Sequence, residues 1–311
     1  MSRVLAVFGA TGHQGSSVIN NVLNDPELSQ QYSLRAITRD VNSTKAKQLQ
    51  DKGVQVVAGD VTDRSSIESA LAGAHTIFAM TAPDFSPNAV EVELNNAKTI
   101  ADVAVSSGVQ YLIWSTLPYV SKISNGKYTK VTAFDAKAKA EEYIRGLKIK
   151  SAFFSGGFFM ENFQEQPFLS PKPGPDGVWT LTRPNSPGVK VPFYDAVSDT
   201  GKFVGAILAE PNKFEGKVLH AAQGLYTMEE LAVVLGKALG KKVVYKQAPL
   251  DEFVQGLPFA GELYGDAFSF LEDYGYFGPE TETLVAWAAQ NVRGKLTTFE
   301  EFFAAHPLVL Q

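Results

Sequence analysis

The residues best placed to do chemistry open the chain: Gly9, Gly12 and Gly15, spaced Gly-x-x-Gly-x-x-Gly around Ala10, Thr11, His13 and Gln14. Glycines react with nothing, but at this spacing they let backbone N–H groups close on a phosphate. Gly9 can make the tight turn, Gly12 admits a pyrophosphate to the main chain, and Gly15 lets the following helix pack closely on the preceding strand. Thr11, His13 and Gln14 fall in the same cradle, and the free N–H groups and positive dipole end of that helix face the anion. Arg39 follows the strand Ser33–Thr38, where a dinucleotide fold meets the adenosine ribose. An acid there takes the 2′-hydroxyl and an arginine takes a 2′-phosphate, so Arg39 predicts NADP(H) rather than NAD(H). Asp40 comes next, either repelling that phosphate or steadying Arg39; Thr38 and Lys47 can assist. Asp60 ends Val54–Gly59 and either contacts the adenine amine or serves as a turn or cap acid. Thr81 and Ala82 leave the strand Thr76–Thr81 toward the same place.

These residues must be held by strands and helices, and the hydropathy pattern supplies them. Val4–Phe8 is an unbroken apolar run, as a central parallel strand covered on both faces requires. Val18, Ile19, Val22 and Leu23 recur at helical spacing after it. Strands at 33–38, 54–60, 76–81 and 109–115 then alternate with helices at 44–52, 65–72 and 89–107, the last with apolar positions Val92, Leu94, Ile100, Val103 and Val105. Such alternation predicts an α/β fold with a doubly wound parallel sheet, since each parallel pair needs a crossover.

Composition narrows the function. The chain has 311 residues, 45% of them hydrophobic and 20% charged, enough to bury a substantial core. It has no cysteine, which excludes disulfides, thiolate metal sites and cysteine nucleophiles, and its four histidines lack metal-ligand spacing. A net charge of −5 argues against a nucleic-acid surface. No apolar run approaches a membrane span, and Met1-Ser2-Arg3 leads straight into the first strand. The expectation is a cytoplasmic protein with no membrane or nucleic-acid partner.

Gly9-Ala10-Thr11-Gly12-His13-Gln14-Gly15, Ile37-Thr38-Arg39-Asp40, Gly59-Asp60 and Gly157-Phe158-Phe159-Met160-Glu161-Asn162-Phe163 resemble the NmrA-like branch of the atypical short-chain dehydrogenases/reductases. The resemblance implies an NADP(H)-binding Rossmann domain over residues 1–155. Residues 156–311 form mostly a smaller α+β substrate-binding cap, with the stretch around 190–222 returning to the sheet. That branch is similar both to reductases of quinones, phenylpropanoids and fungal metabolites and to regulators that bind the cofactor without turnover. The wider family's Tyr-x-x-x-Lys places a proton-donating tyrosine and a lysine on one helical face. No tyrosine here has a lysine four residues on: Lys137 matches the motif's lysine, but Ala133 stands where its tyrosine would be. The resemblance gives Lys137 the nicotinamide ribose and, by analogy with the phenylpropanoid relatives, the proton; read from the residues alone, it is a solvated lysine paired with Glu141. Ser115, with Thr116 at a strand end, matches a serine that hydrogen-bonds substrate oxygen, or is simply a cap. Tyr119 and Tyr128 are further phenols within reach. Phe158 and Asn162 lie in the segment that resembles the family's nicotinamide-flanking loop.

In the second half, Val178–Leu181 reads as a short edge strand in a Pro- and Gly-rich tract. Residues 194–209 form a helix with an acidic start, and Lys217–Ala222 a last strand in which His220 is a core residue. Thr227 and Glu230 have capping-box spacing, and Gly240 ends that helix. The aromatic tract Phe253, Phe259, Tyr264, Phe268, Phe270, Tyr274, Tyr276 and Phe277 is mostly packing, with some members lining a cleft suited to a flat, apolar molecule. The expected function is NADPH-dependent reduction of an apolar or aromatic carbonyl, enone or quinone. The alternative is an NADP(H)-sensing regulator with a protein partner, which could be nuclear.

Overall fold

The computed structural model describes residues 2–83, 86, 88–174 and 177–308. In chain order the strands are β1 (Arg3–Val7), β2 (Tyr32–Thr38), β3 (Gln55–Ala58), β4 (Thr76–Ala79), β5 (Tyr111–Thr116), β6 (Lys150–Gly156), β7 (Phe158–Phe159), β8 (Lys172–Pro173), β9 (Trp179–Arg183), β10 (Lys190–Tyr194), β11 (Val218–Ala221), β12 (Gly224–Thr227) and β13 (Val243–Gln247). Seven of them form one sheet in the order β11-β6-β5-β4-β1-β2-β3, and every pairing in it is parallel. The fold is the expected doubly wound sheet. Its strand order reverses between β1 and β4, and the crevice beyond their carboxyl ends is where such sheets bind ligands.

β1 shows why its apolar run is unbroken. Leu5 and Val7 enter a core with Val18, Ile19 and Phe203 on one face, while Ala6 and Phe8 enter a second core with Ile100, Leu112 and Trp114 on the other. The helix Ala89–Ser106 covers the second face, following the expected line only in part. Its buried positions include Glu93, Ala97, Ile100, Ala101 and Ala104, whereas Val92 and Val105 are exposed. Ile100 and Val103 are buried as expected, and the alanines beside them let the helix sit close to the sheet.

The chain returns to the sheet late. Helix Ala196–Ala209 packs on helix His13–Asn24 so closely that a Cβ on Gly201 would lie 2.3 Å from the Ser17 carbonyl oxygen. The Gly201 N–H also donates to Ser17 Oγ at 2.9 Å. β11 then adds itself beside β6, whereas β10 pairs with β7 and β12 in a small separate sheet. The expectation of an edge strand near Val178–Leu181 is corrected: β9 is the middle strand of three, parallel to β13 and antiparallel to β8. Its main partner lies some sixty residues further on, which no local pattern reveals. These sheets and their helices enclose a core that includes Phe163, Phe193, Leu231, Leu235, Phe299 and Phe302. The capping box at Thr227 and Glu230 forms, and Gly240 caps that helix in the left-handed conformation at φ 60°. No helix among the described residues is long and apolar enough to cross a membrane.

Candidate functional site

The glycine turn lies at the β1/β4 switch point. Gly9 has φ +61°, and a Cβ there would meet Met80 Sδ at 2.7 Å. The Gly12 N–H donates to the Gly9 carbonyl at 2.9 Å, and Gly12, extended, is the N-cap of helix His13–Asn24 without any side-chain cap. A Cβ on Gly15 would lie 2.3 Å from the Gly9 carbonyl oxygen, whereas one on Gly12 meets only that oxygen, at 3.4 Å. Gly9 and Gly15 are therefore needed by the turn itself, and Gly12 keeps open the space in front of it. The N–H groups of His13, Gln14 and Gly15 have no acceptor inside their helix. A bare, dipole-positive helix start with a gap before it fits a pyrophosphate.

Around this turn the predicted residues separate. Arg39 is exposed. Lys45 reaches the turn, its Nζ donating to the Thr11 carbonyl at 3.2 Å. Asp40 closes its own turn by accepting from the Asn42 N–H. Asp60 accepts from the Thr62 N–H and hydroxyl at 2.9 and 2.8 Å, hydrogen bonds that hold its carboxyl below the usual range. Those bonds make Asp60 a turn acid leading into helix Arg64–Leu71.

A cavity of about 470 Å³ runs from His13 and Gln14 past Ser115, Phe134, Lys137 and Phe158 to aromatic residues of the cap, including Tyr264, Phe268 and Tyr276. Ser115 Oγ donates to Gln14 Oε1 at 2.8 Å, and Gln14 Nε2 donates to the buried Tyr194 hydroxyl at 3.4 Å. The Ser115 proton is thus committed to Gln14, leaving the hydroxyl to act as an acceptor. Lys137 is not the solvated lysine of the simpler reading. It is buried and its Nζ donates to Glu93 Oε1, while Glu141 binds Arg145 instead. Burial pushes the Lys137 ammonium below its ordinary range, opposed by the Glu93 charge. Thr81, expected beside the cofactor, donates its hydroxyl to Glu93 Oε1 at 2.6 Å; Ala82 is exposed.

Ala133 lines the cavity one turn before Lys137, as do Asn162 and Phe158. Asn162 Oδ1 accepts from Gln166 Nε2 at 3.0 Å. His13 Nε2 lies 3.0 Å from Glu165 Oε1. Tyr119 lies outside the cavity lining, beneath the Lys122 ammonium, and Tyr128 donates its hydroxyl to Asp273. His220 packs edge-on against Phe277, and burial pushes its imidazole down to about 4.

Sequence reasoning missed Glu93, Lys45 and Arg183. Glu93 shares a helical stripe with Ala97, Ile100, Ala101 and Ala104, an acid on a buried face. Arg183 sits two residues beyond the buried Leu181 and so on the same face of β9. Both signals are present in the spacing.

Fold and site together define a dinucleotide-fold protein with an aromatic cap. The chain belongs to the NmrA-like family, whose profile matches residues 1–303. It is 31% identical to the NmrA-like family domain-containing oxidoreductase cpsB of Aspergillus campestris, over 91% of this chain and 87% of that one. It is 28% identical to the oxidoreductase lnaB of Aspergillus flavus, over 97% of each. Among solved structures, NmrA, a negative transcriptional regulator, in complex with NADP superposes with a TM-score of 0.77 at 22% identity, covering 98% of this chain and 97% of that one. The triphenylmethane reductase of Citrobacter sp. with NADP(H) gives 0.76 at 22% identity over 97% and 99%. The NADPH-dependent quinone oxidoreductase QOR2 of Escherichia coli with NADPH gives 0.74 at 21% over 97% and 99%.

Proposed function

We propose that the protein is an NADPH-dependent reductase of an apolar or aromatic carbonyl, enone or quinone. The observation that carries this reading is the continuity of the cavity, which joins the glycine turn and the buried Lys137 to the aromatic cap. A pocket with aromatic walls suits a flat, apolar molecule. The turn from Gly9 to Gly15, with Thr11, His13 and Gln14, would hold the pyrophosphate. Arg39 and Lys45 would meet the 2′-phosphate side, where a guanidinium pairs in bidentate fashion. Thr81, Ala82, Phe158 and Asn162 would border the nicotinamide. NADPH supplies a hydride. Lys137 would bind the ribose and hold the proton destined for substrate oxygen, its charge kept by Glu93; Ser115, tied to Gln14, would position rather than donate.

NADPH consumption against a panel of quinones and enones tests the reading. The expected result is turnover with at least one, and its sharp loss in Lys137→Met. Tight NADPH binding without turnover would instead favour an NADP(H)-sensing regulator, the reading that Ala133 supports because it has no proton to give. That regulator predicts partner capture that differs between oxidised and reduced cofactor.

A further inference from the structure

One buried cation has no part in the chemistry above. Arg183 ends β9 and is 5% exposed, yet it lines the same cavity as Lys137. Its Nη1 donates to its neighbour Thr182's carbonyl at 2.7 Å and its Nη2 to the Leu169 carbonyl. Its guanidinium carbon lies 5.9 Å from the centre of the Phe268 ring. All three partners are neutral. Among the described residues Arg183 forms no ion pair with a carboxylate, and no aspartate or glutamate lines the cavity. Lys137 differs in this respect, since Glu93 already balances it. Burial pulls the Arg183 guanidinium down only to about 10, so it keeps its charge.

A guanidinium has five donors in a rigid fork. Two carbonyls occupy part of that fork and leave the charge unbalanced. A buried charge of this kind is costly unless it is paired, and its attraction for an anion is far stronger in an apolar enclosure than in water. The neighbouring walls are aromatic.

We propose that Arg183 recognises an anion in this pocket, and that the molecule bound there is an aromatic or apolar compound carrying a carboxylate or ionised phenol. The proposal rests on reading the cavity as the substrate pocket, and it narrows the substrate class to acids. Arg183 selects the ligand and takes no part in moving the proton.

Calorimetry tests it without turnover. 2-Naphthoate and its methyl ester are titrated into the full chain saturated with NADPH, whose neutral nicotinamide cannot itself attract the carboxylate. The expected preference for the acid is roughly tenfold or more, the scale of one charge-assisted hydrogen bond. Arg183→Met is expected to abolish that preference, and Arg183→Lys, which keeps the charge but loses the fork, to reduce it. Equal binding of acid and ester by the wild type overturns the proposal, as does binding of neither or a preference that survives in Arg183→Met. Should Arg183→Met fail to fold, the wild-type comparison and Arg183→Lys still decide. A protein that prefers the acid yet consumes no NADPH with any quinone or enone refutes the reductase reading and leaves this one standing; turnover without acid preference does the reverse.

Discussion

Lys137 and Glu93 form an ion pair with side chains only 8% and 2% exposed, tying one wall of the cavity to the long helix behind it. The Thr81 hydroxyl adds a third member from the end of β4. Such a pair stabilises little by itself, because both charges leave water, but breaking it strands the survivor. Its effect here is to oppose the burial that pushes the Lys137 ammonium below its ordinary range. In the proposed reductase, Glu93 is a positioning residue.

Removing one partner should therefore cost more than removing both. Glu93→Ala is expected to destabilise the fold by about 3 kcal/mol, the scale of an orphaned buried charge. The double variant Glu93→Leu/Lys137→Met should recover most of that loss. Urea midpoints of the single and double variants measure it, and additive losses would mean that the two residues are uncoupled.

Arg39 is exposed at the tip of β2, where it can meet a 2′-phosphate. Arg39→Asp is expected to weaken NADP(H) binding by roughly 2 kcal/mol or more, through a lost charge-assisted pair and a new repulsion. NAD(H) affinity should hardly move. Fluorescence titration with both cofactors checks this; unchanged NADPH affinity would place the phosphate elsewhere.

Gly12 and Gly15 should fail in different ways. The Cβ of Gly15→Ala would lie 2.3 Å from a backbone oxygen that cannot yield without reshaping the turn. That substitution should lower stability by about 1–3 kcal/mol, the usual cost of overpacking, and abolish cofactor binding as well. The Cβ of Gly12→Ala has room in the protein, its nearest contact being 3.4 Å, so it should fold normally and lose affinity only. Thermal unfolding alongside NADPH titration separates the two, and normal cofactor binding by Gly12→Ala would argue that the pyrophosphate does not approach that residue.

The sheet and the glycine turn were legible because both are local. An apolar run, a turn that tolerates only glycine and a helix of fixed period lie within fifteen residues of one another. Capping at Thr227 and Gly240 was legible for the same reason. What escaped depends on contacts across the chain. Glu93 belongs to the site because Lys137, forty-four residues later, points at it. β9 is a middle strand because β13 arrives to pair with it. Ser115 and Asp60 stand out by their positions at strand ends, but the partners that commit their polar atoms, Gln14 and Thr62, could not be read from spacing.

Glu161 gives the fold a pH dependence of definite sign. It is buried, and its carboxylate accepts from the Ala196 and Val197 N–H groups at 3.2 and 2.9 Å, at the start of helix Ala196–Ala209. Burial pushes the carboxyl from 4.5 up to about 7, helped by the nearby Asp195 charge and only partly offset by those amides. Between these values the folded protein holds a proton that the unfolded chain has released, so stability falls as pH rises. Compared with Glu161→Gln, which cannot titrate, the wild type should lose about 3 kcal/mol between pH 4.5 and 7 and then level off. Urea unfolding of both proteins across this range measures the difference. A difference that stays flat, or that grows in favour of the wild type, would mean that the carboxylate is ionised throughout and that the helix start stabilises its charge more than burial opposes it.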